Sequence, residues 1–306
     1  MLMDNENALK AEDVAKILKI GRNAVYAMAK SGELRSYHVG RKLRFTYADI
    51  QDYIDRSKSG GAPARPVPSP LPQPGELVVG GQEALVDVLA EHARRRGVPV
   101  MVCGLNSYDA LCALYRGQLS AACCGLYDAE HNSFNIPYIR HMLPGTPTVV
   151  VQLASLAKGL LVRSGNPKEI VGIADLARPG VRLSNREKGS SSRVYLDSMF
   201  AQLGISPSIV DGYADESATE LGMASKIAQG YADAGIGRQQ TASRIEGLDF
   251  VPLLREDYAL VLREETLKAP QAKALLEVVS SGELQQAFAC ASGYDTSATG
   301  RYAIIR

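Results

Sequence analysis

Residues 58–75 read KSGGAPARPVPSPLPQPG, and no other segment constrains the fold as much. Six prolines and three glycines in eighteen positions exclude a helix or a central strand, because proline lacks a backbone donor and has a fixed φ. Alternating prolines favour an extended, semi-rigid spacer. The 306 residues therefore divide into a head at 1–57, a linker at 58–75 and a body at 76–306. Head and body are each long enough to hold a core.

Charge separates the same parts. Residues 1–58 carry eleven Lys and Arg against eight Asp and Glu, a net of +3, and residues 59–306 carry twenty-three against twenty-five, a net of −2. Between Lys19 and Arg44 there are seven basic residues and one acid, Glu33. A positive head before a near-neutral body points to a polyanion as the partner of the head alone. The first residues, MLMDNENALKAEDVAK, lack the apolar core of a secretory signal, and no apolar run reaches membrane-spanning length. The five cysteines are odd in number and sparse, which fits a reducing compartment. These features predict a cytoplasmic chain with no membrane partner. Cys123 and Cys124 read as small buried residues of a strand, AACCGL. No metal-ligand spacing is evident, so neither a metal nor a cofactor is expected.

In the head, Leu9, Val14, Ala15, Leu18 and Ile20 recur at helical spacing, with Glu12 and Asp13 in the first turn. A second helix is predicted over residues 22–31, burying Ala24, Val25 and Met28 and ending at Gly32. SYHVGRKLRFTY alternates about Gly40-Arg41 as a β-hairpin does, and a third helix over 48–57 buries Ile50, Tyr53 and Ile54. Two short helices, a basic hairpin and a helix make a winged helix-turn-helix. Arg22, Asn23, Tyr26 and Lys30 share the polar side of the second helix, placed to meet base edges and phosphates. Arg41, Lys42 and Arg44 lie on the wing, where cations reach phosphate or a minor groove. Solvated charge on a small domain is the plainer reading of the same residues.

The segment AEDVAKILKIGRNAVYAMAKSGELRSYHVGRKLRFTYADIQDYI resembles the excisionase/MerR-like DNA-binding family over about residues 8–57. The resemblance joins an E-x-A-x-x-L-like helix, the G-E-L exit and the V-G-R-K-L-R-F hairpin. Glu12 stands one place early in that pattern. The resemblance implies double-stranded DNA as a partner.

The body alternates strand-like and helical segments. Strands are predicted at 77–81, 98–104, 121–125, 181–183, 209–212 and 232–236, and helices at 83–95, 108–116, 191–203 and 217–229. This alternation argues for parallel sheets with helices on both faces. Apolar stretches at 147–163 and 257–263 would cross between two lobes, about 76–158 with 258–306 and about 159–257.

GLYDAEHNSFNIPYIRHMLPG, the run from AKGLLVRSGNP to NREKGSSSRVYLD, GYADESATELGMASKIAQGYADAGIG and GYDTSATGRY resemble a domain related to type 2 periplasmic binding proteins. The resemblance covers about residues 76–302. It implies a two-lobed, non-catalytic ligand-binding domain, with molybdate or tungstate as the ligand. One departure is Gly80-Gly81-Gln82-Glu83, where the family often carries Ser, His or Asp in the first loop. The missing hydroxyl removes an oxyanion donor, and Gln82 could instead meet a carboxylate or another small polar metabolite.

Ligands of open α/β sheets sit beside helix N-termini, which offer free N–H groups and partial positive charge. The expected ligand residues are Gly81, Gln82, Asn106, Ser107, Ser190, Ser191, Ser192, Arg193, Tyr213 and Tyr258, with Arg186 nearby. The serines also read as ordinary N-caps, and Arg193 as a structural ion-pair partner. Asp128, His131, Asn132 and Tyr138 are further residues that could face the cleft, with His131 and His141 read mainly as surface residues.

The sequence thus predicts a ligand-responsive transcription regulator binding DNA as a homodimer, with RNA polymerase a further partner. An excisionase-like architectural role is the competing reading, but it needs no 230-residue sensor. An enzyme would use Ser190 or Ser191 with His141 as base, yet no G-x-S-x-G elbow surrounds these serines. No catalytic residue is assigned.

Overall fold

The computed structural model describes residues 9–18, 20–30, 34, 36–39, 42–47, 49–50, 53, 75–290 and 293–306. The linker before Gly75, the Gly32 cap, the Gly40-Arg41 turn and Ile54 lie outside them. The chain forms two compact units, residues 1–69 and 70–306.

In the first unit, helix α1 spans Ala11–Leu18 and α2 spans Arg22–Lys30. The Asp13 carboxylate accepts the Lys10 N–H at 2.9 Å, satisfying a donor ahead of the first turn. Strands β1 (Tyr37–Val39) and β2 (Lys42–Arg44) pair antiparallel, with Tyr37 opposite Arg44. Tyr47, Asp49, Ile50 and Tyr53 are helical. That helix starts one residue earlier than the periodicity predicts, because Thr46 and Asp49 cap it reciprocally: the Asp49 N–H donates to Thr46 Oγ1 at 3.1 Å, and the Thr46 N–H to Asp49 Oδ2 at 2.9 Å. Val14, Val25, Leu34, Phe45 and Ile50 close the core.

The second unit is built on one mixed sheet. Strands β3 (Leu77–Gly80), β4 (Val100–Cys103) and β5 (Ala121–Cys124) run parallel, with β3 between the other two. Helix α3 (Ala84–Arg95) follows β3, and α4 (Ser107–Tyr115) follows β4. A two-strand hairpin, β6 (Tyr127–Asp128) and β7 (Ser133–Phe134), leads into helix α5 (Ile136–Met142).

Two sixteen-residue strands then organise the whole unit: β8 (Thr148–Arg163) and β12 (Leu248–Arg263) pair antiparallel along their length. At one end Val149, Val151, Leu153, Leu260 and Leu262 join the core beneath β3, β4 and β5. At the other end Leu160 and Val162 enter a second core with Leu183, Leu196, Phe200 and Ile236. Each lobe therefore has its own core, and two hydrogen-bonded strands pass between them. Register shifts interrupt this ladder between Pro252 and Leu254 and between Tyr258 and Ala259.

The second lobe adds β9 (Asn185–Arg186), helix α6 (Ser191–Leu203), β10 (Glu216–Ser217), helix α7 (Glu220–Ala228), β11 (Ala234–Arg238) and helix α8 (Gln239–Arg244). Strand β11 pairs antiparallel with β8. Helices α9 (Pro270–Val279) and α10 (Gly282–Cys290) return to the first core, and β13 (Tyr294–Asp295) and β14 (Tyr302–Ile305) pair with β8.

The structure corrects three expectations. Residues 181–183 form no strand beyond a bridge from Leu183 to Ala234, and the paired strand is β9, two residues on. Residues 209–212 form the end of a 3-10 turn and a bend closed at Gly212, whose φ is +79°. Their apolar residues mimic a strand, but Gly212 fits because an added Cβ would lie 1.9 Å from the Leu183 carbonyl oxygen. Finally, β12 begins at Leu248 rather than near 257. Pro252 disguises its first half, and the adjacent bulge is what accommodates that proline.

Candidate functional site

On the first unit, the N-terminus of α2 presents Arg22, Asn23 and Tyr26 to solvent. Arg22 Nη1 pairs with Glu12 Oε1 at 2.9 Å, and its guanidinium lies 5.9 Å from the Tyr26 ring centre. Such an exposed pair is worth little, so Arg22 is free to exchange Glu12 for a phosphate. Lys30 is the last residue of α2, and Lys42 and Arg44 are on β2. Arg44 Nη1 donates to the Leu43 carbonyl at 3.0 Å. Arg41 lies outside the described residues.

In the second unit, the two lobes meet along a seam at the carboxyl ends of β3 and β4. Gln82 follows β3 after Gly81, where an added Cβ would lie 2.7 Å from Val86 and 3.3 Å from the Tyr258 hydroxyl. Gln82 Nε2 donates to Glu187 Oε1 at 3.1 Å, and Gln82 Oε1 accepts from Arg186 Nη2 at 3.3 Å. Asn106 caps α4 by accepting the Asp109 N–H at 2.9 Å and donates to the Lys188 carbonyl at 3.3 Å. The Tyr108 N–H donates to the Gly189 carbonyl at 3.0 Å. Ser107 Oγ accepts the Gly125 N–H at 3.4 Å. The lobes are thus closed on each other through polar contacts.

Ser190 caps α6, its Oγ accepting the Arg193 N–H at 3.2 Å. The next residue, Ser191, turns to the seam and accepts from Lys158 Nζ at 2.7 Å. Ser192 is buried. Arg193 is buried too: Nε pairs with Asp197 at 2.9 Å, Nη1 with Glu216 at 2.9 Å, and the guanidinium stacks 4.3 Å from the Tyr213 ring. The Tyr213 hydroxyl donates to the same Asp197 at 2.8 Å. The fold places Gln82 and Asn106 in direct hydrogen bonds across the seam and Ser191 against Lys158, whereas Ser107 bonds within the first lobe and Tyr258 lies in that lobe's core beside Gly81. Arg193 and Tyr213 instead form a group with Asp197. His131 pairs with Asp128 at 3.3 Å on an exposed loop, and His141 faces the Pro137 carbonyl at 2.8 Å.

Sequence reasoning missed the charged interior of this seam. Lys158 on β8 is buried and pairs with Glu256 on β12 at 2.5 Å. Arg238, at the end of β11, contacts three carboxylates: Glu83, Glu220 at 3.0 Å and Glu256 at 3.4 Å. Burial lowers the Lys158 ammonium's affinity for its proton, and the adjacent Glu256 works against this. Burial opposes ionisation of Glu256, but Lys158 and Arg238 outweigh it and hold its carboxyl below the usual range. Burial also opposes charge on Arg238, yet its three carboxylate partners hold it firmly protonated. The available signal was a single lysine in the otherwise apolar strand TVVVQLASLAKGLLVR, since a charge at such a place demands a buried partner. Among the described residues, no group of His, Cys, Asp and Glu could hold a metal ion.

Two α/β lobes, joined by a pair of crossing strands and closed over a polar seam, define a hinged ligand-binding domain, and a helix-turn-helix unit precedes it. The chain belongs to the family described as the PBP superfamily domain, which it matches over residues 90–280. Residues 8–58 match a helix-turn-helix domain family. It is similar to the uncharacterized protein YvgK of Bacillus subtilis (strain 168), with 32% identity over 309 aligned positions covering 98% of both chains. The first unit is similar to a probable excisionase of Saccharopolyspora erythraea, 39% identical over 54 residues, or 18% of this chain and 55% of that protein. A putative phosphate ABC transporter substrate-binding protein from Clostridium perfringens, solved with bound phosphate, shares the fold of the second unit. It has a TM-score of 0.54 and 13% identity over 72% of this chain and 99% of that one. No helix among the described residues is long and apolar enough to cross a membrane.

Proposed function

We propose that this chain is a ligand-responsive, non-catalytic regulator of transcription that acts in the cytoplasm, binds DNA as a homodimer through its first unit, and closes its second unit on a small anion. Molybdate and tungstate head the candidates, followed by small carboxylates. RNA polymerase is the natural further partner.

Arg186 carries the anion reading. It is buried, at 6% exposure, and among the described residues no carboxylate lies within ion-pair distance of it. Its Nε donates to the Ser217 carbonyl at 3.1 Å, and its Nη2 to the Ala218 carbonyl and to Gln82, both at 3.3 Å. Burial pulls its pKa down, so the cation lacks full compensation. Beside it, the Ser217 hydroxyl is buried without a partner. An anion entering the opened seam would supply both missing interactions.

Thermal denaturation with molybdate, tungstate, phosphate, sulfate and small carboxylates tests this. A ligand at a hundred times its Kd adds about 2.7 kcal/mol of stability. With an anion so identified, Arg186→Gln is expected to weaken binding roughly ten- to a hundred-fold in calorimetry, on the order of 1.5–3 kcal/mol. Unchanged affinity would remove Arg186 from the site.

For the first unit, Arg22→Ala should weaken operator binding and reduce the steepness of its salt dependence by about one phosphate contact. Identical binding to the parent across a salt series would show that α2 does not meet the DNA. A dimer placing two such heads on one operator gains affinity that a single head lacks.

A further inference from the structure

The anion reading leaves unused five charged groups of the seam: the buried Glu83, Glu256 and Lys158, and the half-buried Glu220 and Arg238 that join them. Three acids meet two cations within the contact network, and Arg186, the further cation nearby, makes no ion-pair contact with any of them; a buried carboxylate that must share its counter-charge is costly. The donors are unevenly shared. Glu256 accepts from Lys158 at 2.5 Å and faces Arg238 at 3.4 Å. Glu220 accepts from the Arg238 guanidinium at 3.0 Å, from its backbone N–H at 2.9 Å and from the Thr241 hydroxyl. Among the described residues, the Glu83 carboxylate has the Arg238 guanidinium as its one contact. Glu83 also differs in position. It precedes α3 in the first lobe, whereas Arg238 and Glu220 belong to the second and Glu256 to a crossing strand. Closure therefore takes Glu83 out of water and adds it to a cation that two other carboxylates already share.

We propose that closing the two lobes takes up a proton at Glu83, so that the seam holds its anion more tightly as pH falls. This regulation rests on the reading of the second unit as a lobed domain that opens and closes. Besides Arg238, Glu83 feels Glu220, Glu256, Lys158, Arg186, Cys123, Tyr258 and Tyr294. Burial pushes Glu83 above the usual carboxylate range. Arg238 opposes this, and Glu220 and Glu256 reinforce it. Cys123 and Tyr258 are themselves pushed up by burial, Tyr294 to about 12, so all three stay neutral. The dipole of α3 favours ionised Glu83 and opposes the effect of burial. Between the ordinary open-state value and the raised closed-state value, the closed form holds one proton more. The closure constant there falls by up to about tenfold per pH unit as pH rises, and it levels off above the closed-state value.

The Tyr108 N–H, bonded to Gly189 across the seam, reports closure through its hydrogen exchange. The measurement uses the full chain without added anion, from about pH 5 to about pH 8, corrected for the intrinsic exchange rate. Protection in the parent should fall with rising pH by up to about tenfold per unit, whereas Glu83→Gln should show a flat profile. In infrared spectra the parent should show a protonated-carboxyl band that disappears over the same range and is absent from Glu83→Gln. Equal pH slopes in parent and variant, or no such band in the parent, would overturn the proposal. If Glu83→Gln does not fold, the parent's band decides alone: it must disappear in step with Tyr108 protection. Because no anion is added, a failed anion screen counts against the ligand reading only.

Discussion

Glu256→Leu is expected to cost the second unit about 3–5 kcal/mol in urea denaturation, a large share of the roughly 5–15 kcal/mol by which a typical domain is stable. The reason is the partner left behind. Lys158 is 1% exposed, and its ammonium meets Glu256 at 2.5 Å and Ser191 at 2.7 Å. Without Glu256, a buried ammonium would keep one hydroxyl and no counter-charge. Burial already lowers the Lys158 pKa, and the variant removes the main influence that opposes burial. The unfolded chain then binds a proton that the folded variant resists, so the variant's stability should rise as pH increases toward the ordinary lysine value. The double variant Lys158→Met/Glu256→Leu should recover most of the loss, since apolar side chains of similar size replace buried ion pairs at little cost. A double variant as unstable as the single would show that the pair is tied to Arg238 and Ser191 too closely to be removed as a unit.

Gly159→Ala should be nearly as damaging, at roughly 3 kcal/mol or more. Gly159 lies on β8 opposite Pro252 of β12. An added methyl group would sit 2.1 Å from the Val251 carbonyl oxygen and 2.9 Å from Pro252 Cα. The obstacle is the backbone of the neighbouring strand, so no rotamer change relieves it. The two strands must part where they leave the first lobe, and denaturation should show a loss that a surface Gly→Ala at Gly282, with nothing within 4 Å, does not. Equal stability of Gly159→Ala and the parent would mean that the crossing strands separate there at no cost.

Much of the architecture was legible because it is governed by local rules. The helices of the head and the α/β alternation of the body follow from periodicity and from Gly and Ser at the turns. The seam was legible in part for the same reason: Asn106 and Ser190 sit where N-caps belong, and helix N-termini collect at sheet edges. The charged interior was illegible because it depends on pairs far apart in the chain. Glu83 and Glu220 look like ordinary first-turn acids, favourable to their own helix dipoles, and nothing local shows that Arg238 lies between them. The sequence leaves Arg193 open between two roles. A cation two residues inside a Ser-rich helix start resembles an anion ligand, and Asp197 one turn later and Glu216 on β10 pair with its Nε and Nη1. Pro252 hid half of β12 because a proline argues against a strand unless a bulge is known to receive it.

The crossing strands also decide what kind of motion the second unit can make. A hydrogen-bonded ribbon resists stretching and edgewise shear but bends and twists out of its own surface, as a strip of spring steel does. The two ladder interruptions, at Pro252/Leu254 and Tyr258/Ala259, straddle Glu256 and are the places where the ribbon's pairing is weakest. A ribbon of two strands favours bending about an axis lying across β8 and β12. On the proposed reading, compounds of different chemistry that fill the seam would drive the same stroke. Retuning such a sensor to a new compound would call for new side chains along the seam and leave the spring untouched.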